Sequence, residues 1–187
     1  RMFMIGNRIG VNYEPPEKTN FPIGSGKMPV YATVGSAIMD LMGKENQIPN
    51  HVPLAHKPIV AARYGYVKEG CKLNVDDLPP ELAVATRRDS KTGKVSNYSH
   101  VYKRLDRNKP STTMVPGHNA FPIHPILNRT LTAREAARIQ TFPDTHIFFG
   151  TRQEQCIQVG NAVPPKMAEP FLKKIREYIE NSEEVTP

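Results

Sequence analysis

The chain has 187 residues, 39% of them apolar, with 18 prolines, 12 glycines and a formal net charge of +7. This length suffices for one domain with a hydrophobic core, and so much proline and glycine predicts many turns and irregular connections. No stretch approaches the run of about 18 apolar residues that a membrane-spanning helix needs, and the N-terminal residues lack the pattern of a signal peptide.

Elements in the first third are predicted to be short. The chain begins at Arg1 without an initiator methionine, which indicates a piece of a longer polypeptide. Met2–Ile5 is a short apolar run typical of a buried strand, and residues 13–29 are predicted as loop. Residues 34–42 form a brief amphipathic pattern that Gly43 closes, which predicts a helix.

The middle of the chain is predicted to be mostly irregular. Residues 44–62 are expected to form a loop, and residues 64–73 a turn or a short strand. Asp76-Asp77-Leu-Pro-Pro predicts a turn that leads into a short helical piece. Residues 86–102 have Lys91-Thr-Gly93 at their centre, and this pattern is typical of a β-hairpin or a flexible loop.

A helix after Thr132 is the best-defined local prediction. Thr132-Ala-Arg-Glu135 has the capping-box pattern, in which the Thr132 hydroxyl accepts the Glu135 amide and the Glu135 carboxylate accepts the Thr132 amide. Pro143 predicts that this helix ends at or before Phe142. Such a cap stabilises a helix by roughly 1 kcal/mol, enough to define where it begins.

A last helix is predicted after Pro164-Pro165, since proline suits the first helical turn. Pro170 removes one backbone hydrogen bond and therefore predicts a kink or a restarted helix. Apolar side chains recur at helical spacing along this segment: Met167, Phe171, Leu172, Ile175 and Ile179.

The cysteines and histidines give no metal signal. Cys71 and Cys156 form no Cys-x-x-Cys pair and no cluster at zinc-ligand spacing. Two free thiols in a reducing compartment are expected, with a disulfide as the alternative. His118 and His124 lie in a proline-rich loop, where we expect hydrogen-bonded loop residues and no ligands.

Positive charge is concentrated in one stretch. Residues 87–109 contain eight basic and two acidic side chains, a net +6 in 23 residues. Such a cluster beside aromatic and small polar residues suits contact with nucleic-acid phosphates, and a solvated lysine-rich hairpin is the alternative. The basic residues are Arg87, Arg88, Lys91, Lys94, Lys103, Arg104, Arg107 and Lys109.

Two blocks near the C-terminal end resemble the last two sequence blocks of DNA cytosine-5 methyltransferases. They are Arg129-Thr-Leu-Thr-Ala-Arg-Glu-Ala-Ala-Arg-Ile-Gln-Thr-Phe-Pro-Asp144 and Gln158-Val-Gly-Asn-Ala-Val-Pro-Pro165, in the family's order. The resemblance implies a methyl transfer from S-adenosylmethionine to C5 of a flipped cytosine in a specific duplex DNA site. It also suggests a bacterial, cytoplasmic enzyme of a restriction-modification system.

The resemblance implies a fold class and a division into domains. The fold class is α/β, or mixed α+β for this chain alone: a small target recognition domain plus segments that complete a doubly wound, S-adenosylmethionine-dependent methyltransferase domain. Residues 1–15 would end the catalytic domain, residues 16–128 would form the target recognition domain, and residues 129–187 would return to the catalytic domain.

Site residues follow from the same resemblance. Arg1-Met-Phe-Met-Ile-Gly is similar to the end of the family's Gln-x-Arg-x-Arg strand, which places Arg1 beside O2 of the flipped cytosine as a bidentate donor. Asn161, Ala162 and Val163 would contact S-adenosylmethionine, with Gly160 permitting a close approach. The alternatives are an exposed terminal arginine and an Asn161 that satisfies only local backbone groups.

A second stretch supplies predicted DNA contacts. Residues 106–115 are similar to the family's Pro-x-x-Thr turn, although a plain hydroxyl-rich strand is equally consistent with Thr112 and Thr113. The predicted DNA-binding residues are Arg87, Arg88, Lys91, Lys94, Lys103, Arg104, Lys109, Ser111, Thr112 and Thr113. Arg129, Arg134 and Arg138 are expected to brace the structure through carboxylates such as Glu135 or Asp144, with phosphate contacts as the alternative.

The nucleophile is not expected among these residues. Methylation at C5 requires a thiolate that adds to C6, and the family carries it in a Pro-Cys loop. Neither Cys71 nor Cys156 follows a proline, and the family's glycine-rich cofactor loop and Glu-Asn-Val element are missing from the 187 residues. We therefore expect this part alone to be inactive and an N-terminal part, in the same chain or a partner subunit, to supply the thiolate. A non-catalytic DNA-binding module and the RNA-directed branch of the family are the alternatives.

Overall fold

A computed structural model describes residues 4–8, 12–84, 102–115 and 121–183. The contacts divide the chain into two compact units, residues 1–31 with 163–187, and residues 32–162. The described helices are α1 (Val34–Ile38), α2 (Pro58–Gly65), α3 (Ala133–Ile139), α4 (Arg152–Asn161) and α5 (Pro165–Glu183). Across the described ranges, no helix has the length and apolar character to cross a membrane.

Helix α1 confirms the predicted helix near residue 34. The Thr33 hydroxyl accepts the Ser36 amide, and a 3₁₀ turn over Met39–Leu41 extends the helix. Val34 and Ile38 are buried, and Gly43 follows with a φ of 76°, a conformation that favours glycine.

Helix α2 lies where a loop was predicted for residues 44–62, so that prediction is wrong for the segment that begins at Pro58. Proline at the first helical position removes no intrahelical hydrogen bond, and its fixed φ suits the helix. Tyr64 is fully buried, and Arg63 ties the helix to the next segment because its Nε donates to the Leu82 carbonyl over 2.8 Å. A 3₁₀ turn at Val75–Asp77 is followed by a second at Pro80–Leu82, which confirms the predicted turn leading into a short helical piece.

Strand pairing in the described part of the chain consists of isolated bridges. They join Lys72 to Lys103, Arg104 to Ile123, and Ile123 to Thr130 within the larger unit, and Phe21 to Val30 in the other. The described ranges therefore contain little of the strand structure that the predicted α/β fold class requires. Half of the predicted strand at Met2–Ile5 lies in the described ranges, and its residues Met4 and Ile5 form no strand. The predicted hairpin at residues 86–102 lies outside these ranges except for residue 102.

The larger unit, residues 32–162, contains two apolar clusters. One joins α1, α3 and α4 and comprises Val34, Ile38, Leu41, Leu105, Met114, Phe121, Leu131, Ala136, Ala137, Phe148, Cys156 and Val159. The other packs around α2 and comprises Tyr64, Val67, Leu73 and Ile123. Burial of these side chains is the main force that holds the unit together.

The smaller unit consists of residues 1–31 and 163–187. The sequence predicts a kink or a restarted helix at Pro170. Helix α5 runs through Pro170 as one helix, so the restart is wrong, and the kink stays a prediction. The Tyr13 and Tyr178 rings lie 5.6 Å apart beside a cavity of about 170 Å³. Leu172 is 63% exposed and Met4 is 88% exposed, so both segments carry unburied apolar side chains.

The boundaries of these units differ from the predicted domain division. The units change at residues 31/32 and 162/163, whereas the sequence suggested changes at residues 15/16 and 128/129. Residues 129–162 pack with residues 32–128 because α3 and α4 share a core cluster with α1. The three-segment division stays a prediction about a larger assembly.

Candidate functional site

The capping box at the start of α3 is present as predicted. The Glu135 amide donates to the Thr132 hydroxyl over 3.1 Å, and the Thr132 amide donates to Glu135 Oε2 over 2.8 Å. Both side chains are fully buried, unlike most capping residues. The box therefore anchors a helix inside the larger unit.

A buried ion-pair network continues from this box. Arg129 donates to Glu135 Oε2 over 2.8 Å and to Oε1 over 2.7 Å, and it also contacts Glu45 Oε1 at 3.2 Å. Burial alone would raise the pKa of Glu135, but the hydrogen bonds and charge of Arg129, with the Thr132 amide, hold that pKa below its ordinary value. The ionised state of the buried Glu135 therefore depends on Arg129.

Arg134 fastens the loop after α3 to an earlier loop. Its fully buried guanidinium donates to the carbonyls of Pro49 over 2.9 Å, Pro143 over 3.1 Å and His146 over 2.7 Å. The Asn50 side chain extends this contact, because it bonds both the amide and the carbonyl of Phe148. Arg134 therefore works as a clamp within the protein.

Arg138 connects α3 to the end of α1. Its guanidinium donates to Asp144 Oδ1 over 2.8 Å and to Asp40 Oδ1 over 2.6 Å. The hydrogen bonds that Arg138 donates to the Asp144 carboxylate raise the pKa of Arg138 above its ordinary value, despite partial burial. Arg129, Arg134 and Arg138 all have partners inside the protein, which confirms the expectation that this block braces structure.

Helix α4 is attached to α3 by Gln140. The Gln140 Nε2 donates to the carbonyl of Val159, one residue before Gly160. A second capping box begins α4, in which the Glu154 amide donates to the Thr151 hydroxyl over 3.3 Å. This helix was not predicted, although its Thr-x-x-Glu pattern matches the one recognised at α3.

The turn predicted to contact the cofactor follows α4 directly. Asn161 is the last residue of α4, and Ala162 takes an extended conformation with a ψ of 149°. Asn161 is exposed, and no described residue hydrogen-bonds its side-chain amide. Val163 is 42% exposed and begins the other compact unit. The side-chain amide of Asn161 is thus accessible to solvent at the end of the larger unit.

The turn predicted to contact DNA is formed by Asp106–Lys109. The Lys109 amide donates to the Asp106 carbonyl over 3.2 Å, and the Asp106 carboxylate accepts the Asn108 amide over 2.9 Å. Lys109 Nζ lies 3.0 Å from Asp106 Oδ2, and its side chain is 73% exposed. Of the residues that follow, Thr113 is exposed, whereas Ser111 and Thr112 are half-buried.

Arg104 must be removed from the predicted DNA-binding set. It is only 4% exposed, and its guanidinium donates five hydrogen bonds inside the protein. Four go to the carbonyls of Val67, His124, Leu127 and Tyr64, and one goes to the Asn128 side chain. Burial also lowers the pKa of this arginine. A guanidinium with every donor in use has none for a phosphate.

Several predicted site residues lie outside the part of the chain that the structure describes: Arg1, Arg87, Arg88, Lys91 and Lys94. His118, predicted as a hydrogen-bonded loop residue, also lies outside it. Lys103 is half-buried and takes part in the bridge to Lys72. The structure thus brings together only Lys109, Ser111, Thr112 and Thr113 from the predicted DNA-binding set.

The two cysteines are free thiols in different surroundings. Cys71 is exposed, whereas Cys156 is fully buried in the core cluster that α4 shares with α3. Burial raises the pKa of the Cys156 thiol, which disfavours the thiolate that acts as a nucleophile. In the described ranges, no group of three or more histidine, cysteine or acidic side chains is placed to hold a metal ion.

His124 is buried in an unusual state. Its Nδ1 accepts the amides of Ile126 and Leu127, each over 3.1 Å, which requires the tautomer with hydrogen on Nε2. Nε2 has no hydrogen-bond partner among the residues that the structure describes, and it lies 3.8 Å from Glu135 Oε1. Burial lowers the pKa of His124 to about 4. The prediction that His124 is a hydrogen-bonded loop residue is therefore confirmed for Nδ1.

Comparison with known proteins agrees with the resemblance seen in the two C-terminal blocks. The sequence model of the C-5 cytosine-specific DNA methylase family matches residues 1–177. The chain belongs to this family. A solved structure described as a DNA modification methyltransferase encoded within an E. coli prophage aligns with 69% of this chain and 29% of its own, at 29% identity and a TM-score of 0.47.

Curated relatives are type II methyltransferases. M.DdeI of Desulfomicrobium norvegicum is 36% identical over 140 residues, which are 71% of this chain and 33% of M.DdeI. M.NgoFVII of Neisseria gonorrhoeae is 30% identical over 94% of this chain and 44% of its own length. M.AquIB of Picosynechococcus sp. is 36% identical over 73% of this chain and 93% of its own length. The chain therefore spans less than half of the first two relatives and nearly all of the third.

Proposed function

We propose that this chain is the C-terminal part of a DNA cytosine-5 methyltransferase, which transfers a methyl group from S-adenosylmethionine to C5 of a flipped cytosine in duplex DNA. The observation that carries the proposal is the exposed turn at Asn161, in a chain of this family. The hydrogen bond from Gln140 to the Val159 carbonyl ties the helix before this turn to α3. The type II names of the relatives support a place in a bacterial restriction-modification system, and hence in the cytoplasm.

The residues of the turn fit a nucleoside cofactor. Asn161 offers an unengaged donor and acceptor for the polar groups of S-adenosylmethionine, and Val163 offers apolar surface. The cofactor would supply an electrophilic methyl group on sulfur. Within this assignment Asn161, Ala162 and Val163 bind and orient the cofactor, and Arg1 donates hydrogen bonds to O2 of the cytosine.

DNA contact is assigned to the turn that carries Lys109 and to the residues after it. Lys109, Ser111, Thr112 and Thr113 offer one charge and three hydroxyls along a short segment, groups that suit phosphate oxygens and base edges. Arg87, Arg88, Lys91, Lys94 and Lys103 remain proposed phosphate contacts on the ground of their charge alone.

The nucleophile is assigned to an N-terminal part, either in the same polypeptide or in a partner subunit. Cys156 is inaccessible in the core, and Cys71 lies on the surface without the Pro-Cys context of the family. The near-complete coverage of M.AquIB supports the idea that such a segment can exist as a separate chain. Below, "complete enzyme" means the 187 residues together with that N-terminal part.

The decisive experiment measures methyl transfer by the complete enzyme from S-adenosylmethionine to unmethylated duplex DNA. Asn161→Ala should raise the KM for S-adenosylmethionine roughly tenfold, because a hydrogen-bonded amide is lost from the cofactor site. Asn181→Ala, a change at an exposed position near the end of α5, is the matched control and should leave KM unaltered.

Three outcomes would contradict the proposal in different ways. Duplex binding without any methyl transfer would favour a non-catalytic DNA-binding module. Transfer to RNA in preference to DNA would favour the RNA-directed branch of the family. An Asn161→Ala variant with the KM of the wild type would remove the turn from the cofactor site.

A further inference from the structure

The turn that carries Lys109 is held from outside by another part of the chain. Glu69, 38 residues earlier, accepts the Arg107 amide over 2.8 Å and also binds the Arg107 side chain. The guanidinium donates from Nε to Oε1 over 2.9 Å and from Nη2 to Oε2 over 2.9 Å. One carboxylate therefore fixes both the backbone and the side chain of a residue two positions before Lys109.

The start of α1 holds the opposite side of the same turn. The Gly35 amide donates to the Arg107 carbonyl over 2.8 Å, and the Val34 amide donates to the Lys109 carbonyl over 2.9 Å. A Cβ atom on Gly35 would lie 2.7 Å from the Arg107 carbonyl oxygen, a distance that no side chain tolerates. Glycine at this position is thus what allows the turn to lie directly on the helix.

Together these contacts occupy nearly all backbone polar groups of the turn. The amides of Arg107, Asn108 and Lys109 donate to Glu69, the Asp106 side chain and the Asp106 carbonyl, respectively. Two of its carbonyls accept amides from the first turn of α1. A turn fixed in this way presents the residues that follow it in one geometry, which lowers the entropy that binding must overcome.

We propose that Glu69 and Gly35 are positioning residues that hold the Asp106–Lys109 turn in place for DNA contact by Lys109 and Ser111–Thr113. This inference rests on the proposed function and adds two residues outside its predicted DNA-binding set. Glu69 carries a negative charge, which by itself would repel DNA. Its contribution to binding therefore comes through the geometry of Arg107.

The charge of Glu69 and its positioning role predict opposite effects on DNA binding, which can be tested with the complete enzyme and unmethylated duplex DNA. Glu69→Gln adds one unit of net positive charge, so simple electrostatics predicts tighter binding. Positioning predicts the opposite, a rise of roughly three- to tenfold in the KM for DNA with little change in kcat, because a multiply hydrogen-bonded ion pair on the surface is lost. Glu81→Gln, the same charge change at an exposed carboxylate of the same unit, should not raise KM.

Two further variants separate positioning from a general loss of structure. Glu69→Asp keeps the charge and should restore most of the affinity, with a thermal midpoint equal to that of Glu81→Gln. Gly35→Ala, which changes no charge, should raise the KM for DNA in the same direction as Glu69→Gln.

The outcomes also separate this inference from the function on which it rests. A Glu69→Gln variant that binds DNA as tightly as the wild type, or more tightly, overturns the positioning role alone. If Lys109→Gln leaves DNA affinity and its salt dependence unaltered, the assignment of the turn to DNA contact fails, and the inference fails with it.

Discussion

The two capping boxes allow the stability contributed by the Arg129–Glu135 ion pair to be separated from that of the capping hydrogen bonds. Glu135→Gln keeps the size of the side chain but leaves the Arg129 guanidinium, whose side chain is 11% exposed, with Glu45 as its one carboxylate partner in the described part of the chain. Removing one partner of a buried ion pair costs about 3–5 kcal/mol, and Glu45 offsets part of that loss. We expect Glu135→Gln to lower the free energy of unfolding by about 3 kcal/mol.

The same substitution in the second box is the control. Glu154 has the same relation to Thr151 that Glu135 has to Thr132, but it is exposed and has no arginine partner among the described residues. Glu154→Gln should therefore cost much less. Urea unfolding followed by circular dichroism at 222 nm measures both variants. Equal losses would refute the reasoning, because they would assign the energy to the capping hydrogen bonds.

The pH dependence provides a second check on Glu135. Because its pKa is lowered in the folded protein, its contribution is fully present above the ordinary glutamate value and is lost as the pH falls through the folded pKa. The wild type should therefore lose stability in acid more steeply than Glu135→Gln. A double-mutant cycle with Arg129→Gln should show non-additive losses, since the two side chains are in direct contact.

Two further predictions concern buried polar residues. His124 has a folded pKa of about 4 against an ordinary value of 6.5, so the unfolded chain binds more protons between these values and stability falls as the pH drops through this window. His124→Gln keeps an acceptor for the two amides but does not titrate. It should abolish about 2–3 kcal/mol of the pH-dependent change in the free energy of unfolding, measured by urea unfolding at pH 7 and pH 4.5. Arg104→Lys keeps the charge but loses the five-donor fork, and should lower the free energy of unfolding by at least about 2 kcal/mol while the salt dependence of DNA binding stays unaltered.

The elements that the sequence predicted correctly are those with local signals. The start of α3 follows from Thr132 and Glu135, three residues apart, and its end follows from Pro143. Helix α5 follows from its apolar spacing after a proline pair. Helix α4 carries the same box as α3, but few of its residues are apolar and only Cys156 and Val159 have buried side chains, so periodicity gave too weak a signal.

The role of Arg104 could not be predicted, because its partners are distant in the sequence. Its acceptors lie on two segments, at residues 64 and 67 and at residues 124–128, which meet only in the folded protein. A basic residue inside a basic stretch is assigned to a phosphate on charge alone. Arg104 instead donates to acceptors in the interior. This role depends on long-range packing, which composition does not encode.

Contacts inside the protein also reduce the positive charge that residues 87–109 can offer to DNA. Of the four basic residues that the structure describes in the stretch 87–109, Arg104 is buried, Arg107 is bound to Glu69 and Lys109 is paired with Asp106. A phosphate at Lys109 would compete with an aspartate that is already 3.0 Å from the ammonium group. Counterion release scales with the phosphates neutralised, so under the proposed function we expect these residues to give a smaller salt dependence than their formal charge suggests. If this region contacts DNA as proposed, its affinity should depend more on how well the Asp106–Lys109 turn is positioned than on how many basic residues surround it.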